Sequence, residues 1–350
     1  MPTNEQRQMN IAYDEKYDIR LAAREDIPAI MRFLDENWRK GHIMAANRAL
    51  FEYEYVHGDD VDMILAVEKS RKTIEGLFGF LRCTEKRTGD LWGSMWKVRE
   101  APDQMKLLGV ELAKRIHDLT GCRSHIGSGA NPETTVPLRK IFFRDKTATM
   151  KQYYRLNPEK TEFKIAKITD GSIPPKPENA PDYTLRELET FEDFTKAFDI
   201  TKTKAIPQKD NWYIRHRFYE HPVYDYTLWG VQDEAQNTRA VLITREVSAE
   251  GAKAQRVVDY LGDHRALEGL YDAIGKLLRE TGSEYIDFVE FGVDDALLQK
   301  TGFTNRAETG NVIPHYFEPF LRENKDIWVH YKEYGTTFFK ADGDQDRPNR

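Results

Sequence analysis

The strand and helix patterns of this 350-residue chain run through one order twice, on either side of a single proline-rich stretch. That stretch, "LNPEKTEFKIAKITDGSIPPKPENAPD", sets Pro158, Pro174, Pro175, Pro177 and Pro181 among charges and small polar residues, the composition of a linker. It predicts a first domain over 1–157, a linker over 158–181 and a second domain over 182–350. Each half opens with a short strand ("YDIRLA", "DYTLREL") followed by an acidic helix start. In the first of these helices Ile27, Ile30, Met31 and Leu34 recur at helical spacing. Each half then has three strands and a longer helix, with Met105, Leu108, Leu112, Ile116 and Leu119 on one face in the first and Leu267, Leu270, Ile274 and Leu277 in the second. Both helices run into a glycine, Gly121 and Gly282, where a left-handed C-cap is expected.

Composition narrows the class. A chain that is 40% hydrophobic and 12% aromatic can bury two ordinary cores. Its net charge of −6 is well mixed along the sequence and supplies no basic face for a nucleic-acid partner. The two cysteines, Cys83 and Cys122, lack metal-ligand spacing. The N-terminus "MPTNEQRQMN" carries no apolar signal region, and no apolar run approaches the roughly 18 residues of a membrane span, so a cytoplasmic protein without a membrane partner is expected.

The order of elements, with "LLQKTGF" near the end of the second half, resembles the GCN5-related N-acyltransferase superfamily in tandem. The resemblance implies an α/β fold of two such domains, each a mixed, mostly antiparallel twisted sheet flanked by helices. It also implies coenzyme A on the fourth strand and the helix after it, held by an R/Q-x-x-G-x-G/A turn. In the first half Lys106, Leu107, Leu108, Gly109, Val110 and Glu111 stand there, with a glutamate in place of the second small residue; "GDHRALEGL" in the second half lacks the spacing. More specific stretches resemble the N-acyltransferases that act on dTDP-linked amino-deoxy sugars of bacterial O-antigen and capsule. These are His42, Ile43, Ala45, Leu50, Phe51, Tyr53 and Tyr55, the run Trp96-Lys97-Val98, "QYYRLN", "HPVYDYTLWGV", "EYIDF", "IPHYFEPF" and the closing "FFKADGDQDRPN".

On this resemblance the expected reaction moves a short acyl group, 3-hydroxybutanoyl or acetyl, from acyl-CoA to the amine of a dTDP-3-amino-3,6-dideoxyhexose, without a metal. Acyl-CoA would lie against Trp96, Lys97, Val98, Lys106, Leu108, Gly109 and Val110, with main-chain N–H groups of the strand polarising the thioester. Proton transfer would fall to His42, Asp259, Glu290 or Tyr154, since Arg139 and Leu298 occupy the positions where many members of the superfamily carry an acid tyrosine. Asp259, Asp287 and Glu290, on inner strands, require cationic partners or a substrate amine. The sugar nucleotide would meet Arg215, Asn311, His315, Tyr316, Glu318, Lys340, Asp344, Asp346 and Arg347. Three alternatives stay open: a metal-dependent glycosyltransferase reading Asp344-Gln345-Asp346 as its acidic motif, a peptide-bridge transferase using aminoacyl-tRNA, and a non-catalytic duplicate that only binds sugar nucleotide. A calcium loop is not expected, because the glutamate at its twelfth position would fall beyond Arg350.

Overall fold

A computed structural model describes residues 12–349. The chain forms two compact units, the first built on residues up to Gly127 and on Asn131–Lys146, the second on Ser128–Ala130 and Thr147–Pro348.

In the first unit, strands β1 (Tyr17–Ala22), β2 (Asp60–Glu68), β3 (Thr73–Arg82) and β4 (Asp90–Val98) pair antiparallel in that order, and β5 (Ser124–Ser128) joins β4 in parallel. Helices α1 (Ile27–Asn37), α2 (Ile43–Ala46) and α3 (Arg48–Tyr55) follow β1, and α4 (Leu108–Lys114) and α5 (Ile116–Thr120) follow β4. Helix α1 buries Ile27, Ile30, Phe33 and Leu34; Phe33 takes the place expected of Met31, which is only half-buried. The helix expected around 103–120 starts later, at Leu108, and breaks at Arg115, yet its Leu108, Leu112 and Ile116 pack on Ile64, Phe78 and Phe80 of the sheet as the spacing predicts. Gly121 closes it at φ 69°, the left-handed value that glycine adopts without a Cβ clash.

The second unit carries an eight-stranded sheet. Its members are β6 (Lys151–Leu156), β7 (Thr184–Glu187), β8 (Thr227–Gln232), β9 (Thr238–Ala249), β10 (Ala252–Gly262), β11 (Tyr285–Phe291) and β12 (Thr304–Asn305), in the order β12-β6-β11-β10-β9-β8-β7. A short hairpin, β13 (Tyr316–Phe317) and β14 (Phe320–Leu321), follows, and the eighth strand of the sheet, β15 (Phe338–Phe339), lies antiparallel to β11. Helices α6 (Phe191–Ala197), α7 (Asn211–Ile214), α8 (Tyr271–Thr281) and α9 (Asp295–Lys300) flank it. One face buries Leu242, Val257, Ile286 and Phe288 under Leu270, just ahead of α8, and under Ile274 and Leu278 within it. The opposite face carries Tyr154, Val247, Ala254 and Tyr285 together with charged side chains.

Two boundaries differ from the sequence reading. Strand β6, placed there at the end of the first domain, pairs antiparallel with β11, so the chain enters the second unit at Thr147 and not after 157. The 158–181 stretch is also more than a spacer. Ile165 and Ala166 are buried, Lys164 and Ile165 donate their N–H groups to the Glu284 carboxylate at 2.6 and 3.0 Å, and Lys167 bridges to Val312. Proline and charge content describe this segment's backbone preferences; the buried Ile165 and Ala166 and the main-chain bonds to Glu284 and Val312 decide where it lies.

Candidate functional site

In each unit two parallel central strands pair at one end and then separate. In the first, β4 and β5 share Asp90↔Ser124, Leu91↔His125 and Trp92↔Ile126; beyond Trp92, no strand of that unit among the described residues pairs with the β5-facing edge of β4. There β4 also bulges, Ser94 and Met95 together opposing the single residue Gly79 of β3. A bulge kinks its strand and turns main-chain groups away from the ladder. The result is an open notch whose wall is Gly93–Val98.

In the second unit β10 and β11 share Gln255↔Ile286, Arg256↔Asp287 and Val257↔Phe288, and β10 bulges at Val258. This notch is filled by the chain itself. Phe338 and Phe339 pair with Phe291 and Glu290 of β11, and the Ala341 N–H donates to the Val258 carbonyl at 2.8 Å.

Of the residues expected around coenzyme A, Trp96, Lys97 and Val98 belong to the Gly93–Val98 wall, Leu108, Gly109 and Val110 to the first turn of α4, and Lys106 to the turn before it. The Trp96 indole donates Nε1–H to the Gly109 carbonyl at 2.9 Å and stands edge-on to Phe78 and Phe143. A Cβ on Gly109 would come within 2.9 Å of that nitrogen, so the helix can approach the strand only with glycine here. Val98 is half-buried beside Gly109, and the Lys97 Nζ lies 3.7 Å from Glu100. Lys106 is exposed and its carbonyl accepts from the Tyr13 hydroxyl. Leu108 and Val110 are buried, so their side chains belong to the core and only their main chains are open to a ligand role. Leu107, ahead of the helix, holds φ 61° in the left-handed region.

Most of the groups expected to move protons are engaged structurally. His42 caps α2, its Nδ1 accepting the Met44 N–H at 3.2 Å; a neutral imidazole that accepts at Nδ1 carries its proton on Nε2 and has no second lone pair for a base. Tyr154 is buried between Asn311, whose Nδ2 donates to it at 2.6 Å, and Thr309. Asn311 in turn accepts from the N–H groups of Thr169 and Asp170, so both tie the 158–181 stretch to β6. Asp259 and Asp342 share the buried Lys209 ammonium, each at 2.7 Å. Burial pushes the Asp259 carboxyl up to about 6, Lys209 pulling it down and Asp342 pushing it further up. Glu290 accepts the Val293 N–H at 2.8 Å through Oε2, while Oε1 has no hydrogen-bond partner among the described residues; burial raises this acid to about 7. Arg139 is buried against Asp145 at 2.6 Å and supplies no acid.

The sugar-nucleotide residues separate into two groups. Arg215 is exposed and pairs with Glu220 at 2.6 Å, so the arginine of its stretch that turns inward is Arg217, which donates to the Asp346 carbonyl. His315, Tyr316, Lys340 and Asp346 do converge, on the charged face of the second sheet, with Glu318 beside Tyr224 at its border. Asp346 is held by Arg245 at 2.6 Å and by the Tyr226 hydroxyl at 3.0 Å, and Arg245, first among the groups opposing its burial, keeps the carboxyl far below the usual range. Asp344 faces Arg347 at 3.2 Å, so the two carboxylates of the Asp-Gln-Asp sequence are directed to different arginines. Arg256 forks Asp287 through Nε at 3.0 Å and Nη2 at 2.8 Å and also donates to the carbonyls of His315 and Pro314. Sequence reasoning missed Arg245 and Arg256; Arg217 stands in the stretch "NWYIRHRFYEHP", which it read, with Arg215, His216 and His221, as either a nucleotide anchor or a solvated helix face. The readable trace of Arg256 was a charge inside the apolar strand "AQRVVDYLG".

No helix among the described residues is long and apolar enough to cross a membrane. No family model and no curated protein matches this sequence. Solved structures do match the fold. A conserved protein of unknown function from Enterococcus faecalis V583, with N-acyltransferase activity suggested for it, aligns with TM-score 0.54 at 9% identity over 83% of this chain and 70% of its own. A GCN5-related N-acetyltransferase from Anabaena variabilis ATCC 29413 aligns with TM-score 0.51 at 10% identity over 90% of this chain and 72% of its own. Two mixed sheets, each with a splayed parallel pair and flanking helices, make this a tandem fold of the GCN5-related N-acetyltransferase type.

Proposed function

We propose that this chain is an acyl-CoA-dependent N-acyltransferase with its thioester in the first unit's notch, and that the acceptor is the amine of a dTDP-3-amino-3,6-dideoxyhexose destined for O-antigen or capsule. The observation that carries the reading is the asymmetry between the notches: Gly93–Val98 is open to a ligand within its unit, whereas Val258 already accepts from Ala341. A pantetheine arm carries amides and can pair with a strand edge as an added strand would. The choice of acceptor rests on the sequence stretches that resemble the sugar N-acyltransferases.

The neutral amine attacks the thioester carbonyl carbon, the new C–N bond forms, the C–S bond breaks and the thiolate leaves as CoA. A main-chain N–H at the Ser94–Met95 bulge would meet the carbonyl oxygen as it gains charge. An ammonium with acidity near that of a peptide N-terminus, about 7.7–8.0, is already partly neutral at physiological pH, so its proton can pass to solvent.

The test offers purified protein acetyl-CoA or 3-hydroxybutanoyl-CoA against a panel of dTDP-3-amino and dTDP-4-amino dideoxy sugars, in the absence and in the presence of EDTA. Release of CoA thiol and a sugar nucleotide heavier by one acyl group is the expected result. No thiol release with any pair removes the proposal; release abolished by EDTA turns it toward metal chemistry.

A further inference from the structure

On the charged face of the second sheet, among the described residues, Lys340 is a cation without a paired carboxylate. Arg245 on β9 is matched by Asp346 of the tail, and Arg256 on β10 by Asp287 on β11. Next along the tail, Asp342 turns to Lys209 and Asp259. Lys340 is 1% exposed, has no hydrogen-bond partner for Nζ among the described residues, and lies 5.1 Å above the ring of Tyr316. Nearby, the buried His315 likewise has no partner for Nδ1 among the described residues. Glu318, at the border, is turned to Tyr224.

The sign of this excess decides which ligand it suits. An ammonium would add a further cation beside Lys340, Arg245 and Arg256, whereas an anion would give Lys340 the partner it lacks among the described residues. Each of three cations is also faced by an aromatic ring: Tyr224 on Arg245 at 3.9 Å, Phe317 on Arg256 at 5.2 Å and Tyr316 on Lys340. Cations beside flat aromatic surfaces suit a phosphate joined to a base. The β13–β14 hairpin covers the group, and the residues leading into it supply carbonyl oxygens, of His315 and Pro314, at 2.7 and 2.9 Å from the Arg256 nitrogens. Phosphate oxygens would take over these positions if the hairpin lifted.

We infer that Lys340, with Arg245 and Arg256, forms the receptor for the diphosphate of a nucleoside diphosphate, the Tyr316–Leu321 hairpin opening to admit it. The inference rests on the sugar-nucleotide reading above and adds the place of binding. Burial first, then the positive neighbour Arg256, pulls the Lys340 ammonium down to about 7. An arriving diphosphate reverses that repulsion, so binding draws a proton onto Nζ.

The experiment is calorimetric titration with dTDP, without acyl-CoA, at about pH 8 in buffers of different ionisation enthalpy. Wild-type protein should take up close to one proton per dTDP, because a lysine titrating near 7 is mostly neutral at that pH and a diphosphate there is already fully ionised. Lys340→Met should lose the uptake and bind at least tenfold more weakly, whereas Lys340→Arg, permanently charged, should keep the affinity and lose the uptake. Thymidine alone should bind at least tenfold more weakly than dTDP. Absence of dTDP binding, binding without proton uptake, a Lys340→Met variant of unchanged affinity, or equal binding of thymidine would each overturn the assignment. Proton-linked dTDP binding in a protein that transfers no acyl group would leave it standing and count against the transferase alone.

Discussion

At the scale of single residues, the second unit shows how burial fixes the roles of charges. Lys209 lies between Asp259 and Asp342, with the side chains of all three almost wholly buried. Removing the one cation leaves two uncompensated carboxylates, so Lys209→Met should lower the stability measured by urea unfolding by about 3–5 kcal/mol. The same site gives a pH signature. Because Asp259 titrates at about 6 when folded, against 3.8 for the free group, the folded chain holds this proton more tightly than the unfolded chain does. The associated stability is full below about pH 4 and is lost as pH rises through about 6, a fall of up to about 3 kcal/mol. Asp346 works the other way: its depressed pKa contributes stability above about pH 4 that is lost on acidification. Asp259→Asn should therefore remove the decline between about pH 4 and 6 and leave the acid limb; an unchanged profile would mean that another group titrates there. The need for partners was legible, since a carboxylate on an inner strand must have one. Which partner was not, because Lys209 and Asp259 are 50 positions apart in sequence and Arg256 and Asp287 are 31 apart.

At the scale of elements, periodicity located the strands and helices, while what makes a site of them depended on register. The apolar spacing that predicted one long helix is present in α4 and α5, and both C-terminal glycines are left-handed as expected. Nothing in the order of residues says that β4 leaves β5 after three pairs, or that Ser94 and Met95 bulge, because both depend on what the neighbouring strands contribute. The turn from β4 into α4 is where local conflict is visible. Leu107 is half-exposed at φ 61°, a conformation that costs a side-chain-bearing residue roughly 1–2 kcal/mol. Leu107→Gly should raise stability by about 1 kcal/mol. If it lowers stability instead, the leucine makes packing that outweighs its backbone strain. Two positions on, Gly109→Ala drives a methyl to 2.9 Å from the Trp96 indole nitrogen. Overpacking of this kind costs about 1–3 kcal/mol, and the shift of Trp96 should raise the KM for acyl-CoA several-fold with a smaller change in kcat. Retained KM would place the cofactor away from Trp96.

At the scale of the whole molecule, a duplicated fold need not keep two copies of one site. The repeat was legible from the order of elements, and the closing "FFKADGDQDRPN" from its resemblance to the sugar N-acyltransferases. That this tail is a strand of the second sheet was not legible: "FFKAD" becomes ordered through the pairing of Phe338 and Phe339 with β11, the Ala341 N–H on Val258, and Asp342 on Lys209. These contacts occupy, in the second unit, the strand edge that is open to a ligand in the first. Acyl-CoA should accordingly titrate to one site per chain by calorimetry, and a value of two would show that the tail yields its place. Ala341→Pro separates the alternatives further. It removes the N–H that meets Val258, leaving a buried carbonyl unpaired at a cost of about 1–3 kcal/mol. Stability should fall while the stoichiometry stays at one, because Phe339 and Asp342 still fill the notch. A second acyl-CoA bound by this variant, with the first unchanged, would instead make the tail a displaceable occupant of a site the second unit has kept.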